Sequence, residues 1–336
     1  MKRQAKPEYL RRFKYPGNPI FTGTGRPGDF DSVYADAPRV FTHDDVAYLF
    51  YTGYDGERTR GGIAESRDLI HWENRRLVLD AGPEGAWDGG AANPLYVYQE
   101  EDGTFVMTYC AFGAAGIEQG PGSIGVAYSK DLVHWEREVA NPILSPCEED
   151  AWETGGLYSS NVVKHEGQYY LFYNAKNIGD PTLSSYEGDD WTWTEQIGLA
   201  TGPDLLHLER HPNNPVLRVG PPGSLDHRYV SDPWVMWIEG RWHMFYFGAS
   251  RDDSFSVPCV YEDCLAVSDD LVNWTKSPYN PIIRRGPDAY DQRGAHKPSV
   301  VLFRGIYYHF YVGVNQTAAG PDRVICLATS HPIDQK

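Results

Sequence analysis

The chain has 336 residues, of which 41% are hydrophobic and 14% aromatic, and its formal net charge is −16. This hydrophobic content is enough to fill a globular core. A nucleic-acid partner or an anionic membrane requires a basic surface, so this acidic composition argues against both. No apolar stretch reaches the length needed to span a bilayer.

The first twenty residues, "MKRQAKPEYLRRFKYPGNPI", carry charges without an apolar run behind them. A secretory signal needs such a run, so the expected location is cytoplasmic. The cysteines agree, because an odd number at irregular spacing favours reduced, mostly buried thiols over disulfides or a metal site. They are Cys110, Cys147, Cys259, Cys264 and Cys326.

Five similar segments follow one another along the chain. Each has a bulky apolar residue, a carboxylate, a polar stretch, an apolar run, a turn and an aromatic-rich run, as in "FDSVYADAPRVFTHDDVAYLFYTG". A regular internal repeat indicates a repeat architecture, here a single domain over residues 1–336. The carboxylates that head the units are Asp31, Asp88, Glu153, Asp226 and Asp291.

Each unit contains about four short runs rich in Val, Ile, Tyr, Phe and Trp, separated by Gly, Asn, Asp and Pro. Such runs are typical of strands and turns. They predict an all-β fold, a five-bladed β-propeller with four-stranded antiparallel blades.

The fifth unit lacks its last strand, but "NPIF" at Asn18 repeats a phrase found between units, as in "NPIL" at Asn141. An unpaired last blade would leave an open sheet edge. We therefore predict that residues around Pro19 to Thr22 complete the fifth blade and close the ring, rather than forming a disordered leader.

The first strand of each propeller blade lines the central channel, so the residues leading into these strands should converge at one mouth. A purely structural ring would repeat from unit to unit, whereas these residues differ in chemistry, as in a binding or catalytic site. The converging residues are Asp36, Asn93, Ser159, Ser160, Asp232, His296 and Lys297.

The carboxylates that head the units repeat with their apolar neighbours, which indicates a structural role such as accepting backbone N–H groups of a turn. Glu153 departs from the series because it is one methylene longer and is followed by the small residues "TGG". We therefore predict a functional role for Glu153.

Carboxylates around a polar pocket are typical of glycosyl transfer, in which one acid protonates the leaving oxygen and a second carboxylate activates water or attacks carbon. A third acidic group can raise the pKa of the acid by repulsion. Asp36, Glu153 and Asp232 could fill these roles. Aromatic residues near the strand starts could stack on sugar or pack the blades, and Trp87 and Tyr158 are the predicted substrate contacts.

The combined pattern of "NPI", "WD", "YYLFY" and "IGVAYSKDLVHW" resembles the five-bladed propeller glycosidases of families 43, 32, 117 and 130 over about Asn18–Ser330. This resemblance implies a base or nucleophile at Asp36, an acid at Glu153 and an orienting aspartate at Asp232. In family 43 the orienting aspartate precedes the glutamate, so Asp232 is the alternative acid. The resemblance also implies that His296 lies near an axial cation or water, which could be Ca²⁺, although no cofactor is required.

Three cations, Arg228, Arg293 and Lys297, add positive charge around the predicted mouth. They could bind an anionic sugar or a phosphate, as in the mannoside phosphorylases of family 130. Alternatively, they could simply pair with Asp226 and Asp291.

We therefore predict a glycoside hydrolase that releases a single sugar from the non-reducing end of short oligosaccharides, with inversion. A phosphate-dependent glycoside phosphorylase and a non-catalytic glycan-binding propeller are the alternatives. A scaffold propeller would show an apolar surface patch instead of a polar mouth. The expected partner is a small oligosaccharide, and the chain could form a homo-oligomer.

Overall fold

The computed structural model describes residues 6–150, 152–177, 193–252, 254, 259–315 and 322–333. Within these ranges the regular structure is twenty strands and two short 3-10 helices, Glu8–Leu10 and Ala289–Asp291, so the predicted all-β class is confirmed. None of the helices in these ranges is long and apolar enough to cross a membrane.

A short first strand precedes two groups of four strands in the first half of the chain. These nine strands are β1 (Phe13–Lys14), β2 (Tyr34–His43), β3 (Val46–Tyr54), β4 (Thr59–Ser66), β5 (Glu73–Leu79), β6 (Ala91–Gln99), β7 (Phe105–Phe112), β8 (Ser123–Ser129) and β9 (Glu136–Arg137).

Two further groups of four strands and a last group of three complete the described chain. These eleven strands are β10 (Gly156–His165), β11 (Gln168–Lys176), β12 (Glu195–Gly202), β13 (Glu209–Arg210), β14 (Tyr229–Ile238), β15 (Arg241–Arg251), β16 (Cys259–Ser268), β17 (Thr275–Lys276), β18 (Gly294–Phe303), β19 (Ile306–Val314) and β20 (Arg323–Thr329).

Within each group successive strands pair antiparallel, and single parallel pairs such as Tyr261 with Gly294 join neighbouring groups. The pairings of the described strands make one sheet of eight strands and one of twelve, and neither sheet closes on itself. The first strands of the five groups also contact one another in a cycle, from β2 through β6, β10, β14 and β18 back to β2. Apolar side chains of neighbouring groups pack together to form the core.

The N-terminal segment lies along the last strand of the fifth group. β1 pairs antiparallel with β20, and the N–H of Ile20 donates to the carbonyl oxygen of Ile325 at 3.0 Å. The Asn18 side chain accepts from the Leu327 N–H at 2.8 Å and donates to its carbonyl oxygen at 2.9 Å.

The same asparagine contact recurs after the second, third and fourth groups. Asn141, Asn214 and Asn280 bond both backbone groups of a third-strand residue, at distances of 2.8 to 3.1 Å. A side-chain amide has the donor and acceptor of a peptide group, so each asparagine takes the place of a strand partner. This contact explains why the "NP" phrase repeats in the sequence.

The repeated aspartates are buried. Asp31, Asp226 and Asp291 each accept from a tyrosine of the second strand in their group, and Asp88 pairs with Arg137 at 2.9 Å. The phenol of Tyr51 donates to Asp31 at 2.8 Å, and that of Tyr246 donates to Asp226 at 3.1 Å. The predicted structural role of these carboxylates therefore rests on side-chain partners rather than on the N–H groups of a turn.

Each first strand contains an irregularity where its polar residues lie. In β2 the register shifts between Asp36 and Arg39, and β14 and β18 shift in the same way. Ala37, Asp232 and Lys297 have φ values of 50°, 54° and 59°, in the left-handed region. A β-bulge turns side chains away from the regular alternation, and here it presents polar groups beside the cycle of first strands.

Candidate active site

A polar pocket lies where the bulges of the first strands meet. It contains half of the residues that the sequence analysis singled out as site residues. These are Asp36, Asn93, Tyr158, Ser159, Asp232 and Lys297.

The other six predicted residues, all within the described ranges, do not line this pocket. Trp87 stacks on Tyr109 with 5.6 Å between ring centroids, so it packs inside its own strand group. The Ser160 hydroxyl donates to Thr108 at 3.0 Å and is buried. The remaining four are Glu153, Arg228, Arg293 and His296.

Asp36 is buried and is held by three donors. Its Oδ2 accepts from Lys297 Nζ at 2.9 Å and from Arg323 Nη1 at 2.6 Å, and its Oδ1 accepts from the Ala37 N–H at 2.6 Å. Burial alone would raise the pKa of Asp36, but the charges of Lys297 and Arg323 together hold it well below its usual range. Asp36 is therefore ionised throughout the neutral range and cannot donate a proton there.

Asp232 is paired with a cation from a distant strand. Arg39 Nη2 lies 2.5 Å from Asp232 Oδ1 and 3.0 Å from the hydroxyl of Ser159. Because Arg39, Ser159 and Asp232 belong to three different strand groups, this guanidinium ties the groups together beneath the pocket.

Glu153 lies in the structural series of carboxylates and not at the pocket. Its oxygens accept from the Tyr173 phenol at 2.9 Å, Arg210 Nε at 2.7 Å and the Cys147 N–H at 3.0 Å. Its side chain has no exposed surface. The longer side chain lets Glu153 reach a tyrosine and a cationic side chain, as Asp31 and Asp226 do. The position of Glu153 therefore gives no support to the predicted role as the acid.

His296 is buried behind the pocket among rings. It stacks on Tyr261 at 4.9 Å, meets Phe247 edge-on at 5.2 Å, and its Nδ1 lies 3.2 Å from the Val312 carbonyl oxygen. Burial and the neighbouring Lys297 lower the pKa of His296 to about 4, so the imidazole is neutral at pH 7. Ca²⁺ prefers several oxygen ligands, so these surroundings do not favour the axial cation implied by the family resemblance.

Within the described ranges, no group of three or more His, Cys, Asp or Glu side chains is arranged to hold a metal ion.

Arg228 and Arg293 lie outside the pocket, close to the buried thiol of Cys259. The sequence allowed these two arginines to pair with Asp226 and Asp291, but they do not. Asp226 instead pairs with Lys276 at 2.5 Å, and Asp291 pairs with Lys14 at 2.5 Å.

The sequence directed attention to the first strands, so it did not reveal four further candidate residues that lie elsewhere. Glu118 lines the pocket from the loop between β7 and β8. Lys176 ends β11, Glu195 begins β12 and Arg323 begins β20.

A signal for two of them is present in the sequence. The third strands align as "TRGGIA", "GSIGVA", "EQIGLA", "YEDCLA" and "RVICLA". Their last three letters repeat, whereas their first letters differ, as expected for a position at a site. These first letters are Thr59, Gly122, Glu195, Tyr261 and Arg323.

Glu195 is partly buried beside the pocket, and the Asn174 amide lies 3.4 Å from its Oε2. Burial, together with the negative charge of Glu118, raises the pKa of Glu195 to about 7, while Lys176 opposes the rise. Two carboxyl groups therefore lie near each other in environments that let one of them keep its proton at neutral pH, as acid–base catalysis at a glycosidic bond requires.

The middle of the chain, residues 93–263, matches the family model described as "Glycosyl hydrolases family 32 N-terminal domain". Among solved structures, the BT0996 complex with RGII is 28% identical, with 96% of this chain and 94% of that protein aligned, and has a TM-score of 0.74. Another, named "Glycoside hydrolase", is 26% identical, with 99% of this chain and 97% of that protein aligned, and has a TM-score of 0.76.

Among curated proteins, the beta-1,2-mannobiose phosphorylase of Thermoanaerobacter sp. (strain X514) is 29% identical over 135 residues. The alignment covers 40% of this chain and 42% of the relative, so the chain matches less than half of that protein's length.

Proposed function

Because the chain belongs to the family of glycosyl hydrolases family 32 N-terminal domains, within the propeller glycosidase superfamily, we propose that it is a glycoside hydrolase. Its substrate is a short oligosaccharide, from whose non-reducing end it releases a single sugar. The observation that carries the proposal is that burial and the nearby charge of Glu118, which lines the pocket, raise the pKa of Glu195 to about 7.

In this proposal Glu195 is the general acid and Glu118 is the second carboxylate. A carboxylic acid that keeps its proton near pH 7 can protonate a leaving oxygen, and an ionised neighbour can activate water or attack the anomeric carbon. Asp36 and Asp232 are each already paired with cations, so they position the sugar or its surroundings. These roles replace those that the sequence suggested for Asp36, Glu153 and Asp232.

Inversion is the proposed stereochemical course. Glu118 and Glu195 come from different strand groups, and this arrangement suits two carboxyl groups that act from opposite sides of a sugar. Inverting enzymes separate their two carboxyl groups by about 6.5–9.5 Å to admit this water.

Substrate entry requires side chains to move. The free volume of the pocket is about 50 Å³, whereas pockets for small ligands hold roughly 300–1,000 Å³. Ile117 and Glu118 line it from the β7–β8 loop, so a shift of this loop is the simplest way to admit a sugar ring.

A phosphorylase is the second candidate, because the curated relative described above is a phosphorylase. Phosphate would need unpaired cations near the reacting carbon. Of the cations that line the pocket, Lys297 bonds Asp36 and Arg39 bonds Asp232, and Arg323 bonds Asp36 from beside the pocket. Arg228 and Arg293 do not line it. Because these cations are already paired with carboxylates, we favour water over phosphate as the acceptor of the sugar.

The proposed architecture is a five-bladed propeller whose fifth blade is completed by the N-terminal segment. Two contacts support it: the cycle formed by the five first strands, and the bonds from Asn18 to Leu327 that repeat the bonds of the other asparagines.

The testing experiment is proton NMR of the purified protein with arabinosides, xylosides, galactosides and mannosides, with and without phosphate. Free sugar formed without phosphate, and its first anomer, would establish the hydrolase and its stereochemistry. A sugar 1-phosphate formed only with phosphate would establish the phosphorylase. Binding without any product would leave the glycan-binding alternative.

A further inference from the structure

Lys176 is the last residue of β11, and its cationic side chain is buried: only 1% of its surface is exposed. Its ammonium lies 4.6 Å from the ring centroid of Tyr158 and 6.0 Å from that of Trp193. Aromatic faces attract a cation, and more strongly when it is desolvated. Contacts with these two rings therefore hold the ammonium group in place.

Lys176 and Glu195 are direct partners across the β11–β12 ladder. Directly opposed residues in an antiparallel pair bring their Cβ atoms to about 4.5–5.5 Å, close enough for their charges to interact. The two side chains also share the influence of Glu118. Lys176 is thus a cation close enough to both proposed catalytic glutamates to interact with their charges.

We propose that Lys176 is a positioning residue that controls the protonation of Glu195. This inference rests on the proposed function, in which Glu195 is the acid. The ammonium limits how tightly Glu195 holds its proton, so the carboxyl group can release the proton during catalysis near neutral pH. An acid left with only the anionic neighbours Glu118 and Asp232 would keep its proton at higher pH and would donate it less readily.

Among the described residues around Glu195, the Ser231 side chain also lowers the pKa of Glu195 through a hydrogen bond, but it carries no charge. Asp232, on β14, is anionic and acts in the same direction as Glu118. The phenols of Tyr158, Tyr229 and Tyr261 and the thiol of Cys259 stay neutral, because burial raises the pKa of each.

Arg228 precedes β14, and its carbonyl oxygen accepts from the Glu195 N–H at 3.3 Å. Its guanidinium acts on Tyr229 and Cys259. Lys176 is the cation that acts on Glu195 and Glu118 together.

The test compares Lys176→Met with the charge-retaining control Lys176→Arg. The first readout needs no substrate: the carboxyl carbons of ¹³C-labelled glutamate are titrated by NMR, and the Glu195 signal is identified as the one missing in Glu195→Gln. We expect Lys176→Met to raise the pKa of Glu195 by about one unit or more, as loss of a neighbouring opposite charge does, and Lys176→Arg to leave it near the wild-type value.

The second readout is the pH profile of kcat/KM. We expect its alkaline limb to move upward in Lys176→Met by the same interval as the NMR titration, and to stay in place in Lys176→Arg. An unchanged Glu195 titration in folded Lys176→Met would overturn the proposal. If no sugar were released by the wild type, the proposed function would fail, while the NMR titration would still decide the role of Lys176.

Discussion

Lys297 and Asp36 are 261 residues apart in sequence, yet Lys297 Nζ lies 2.9 Å from Asp36 Oδ2. Arg323 joins the same oxygen at 2.6 Å, so one carboxylate holds two cations from the fifth strand group against β2. All three side chains are largely withdrawn from water. The charges are tolerable there only together, because a buried ion without its partner is strongly unfavourable.

Asp36→Asn should lower both stability and turnover. Removing this carboxylate leaves Lys297 and Arg323 facing each other, and loss of one partner of a buried ion pair costs about 3–5 kcal/mol. Because the pKa of folded Asp36 is depressed, its contribution to stability is present above the unfolded pKa of about 4 and is lost as the pH falls below that value.

Thermal unfolding followed by circular dichroism between pH 3 and 7 measures this effect. The wild type should lose more stability than Asp36→Asn over the acidic part of the range. Asp269→Asn is the control, since Asp269 pairs with Arg241 at the surface and should leave the melting temperature unchanged. Equal melting curves for Asp36→Asn and Asp269→Asn would contradict the prediction.

Glu195→Gln should impair substrates with poor leaving groups far more than activated aryl glycosides. Loss of a general acid removes about 10²–10⁴-fold in rate where the leaving oxygen needs a proton. The pKa of Glu195 is about 7, and an acid must be protonated to act, so wild-type kcat/KM should fall as the pH rises through about 7. Glu195→Gln should lack this alkaline limb.

The matched control is Glu262→Gln. Glu262 lies on the equivalent strand of the next group, β16, and burial raises its pKa as well, but it lines a different cleft together with Arg284 and Arg285. Steady-state kinetics with an oligosaccharide and an aryl glycoside should show Glu262→Gln close to the wild type. An equal loss on both substrates in Glu195→Gln would reject the acid role.

The fold was predictable because the same structural contacts recur in four of the five units. Asn141 and its counterparts replace a strand partner, and Asp31 and its counterparts bind a tyrosine, so both leave a repeated trace in the sequence. The site residues form no repeated sequence pattern, because each strand group contributes a different type of side chain. The bulge residues Asp232 and Lys297 could still be found, since they precede a proline at the start of a first strand.

The roles of the site residues could not be predicted, because they depend on pairs that cross strand groups. Nothing in the sequence places Arg323 on Asp36 or Arg39 on Asp232, and these contacts decide which carboxylates are free to act. The role of Glu153 depends on packing for a related reason: its longer side chain bonds Arg210 and Tyr173, and the sequence does not show these contacts.

Glu153→Gln should affect stability and leave catalysis intact, in the same way as Asp226→Asn. Both carboxylates are buried and accept from a tyrosine and a basic side chain of their own group. We expect a lower melting temperature in each variant and unchanged kcat/KM at a temperature where the protein stays folded. Loss of activity in Glu153→Gln but not in Asp226→Asn would restore Glu153 as a catalytic candidate.

Asn18→Ala should destabilise the protein as much as Asn141→Ala does, if the N-terminal segment completes the fifth blade. Each substitution removes two side-chain bonds to a third strand and leaves a backbone donor and acceptor without partners, at a cost of about 1–3 kcal/mol per group. Urea unfolding of both variants gives the two free energies. If Asn141→Ala lowered the free energy of unfolding and Asn18→Ala did not, the ring would not depend on the N-terminal segment for its stability.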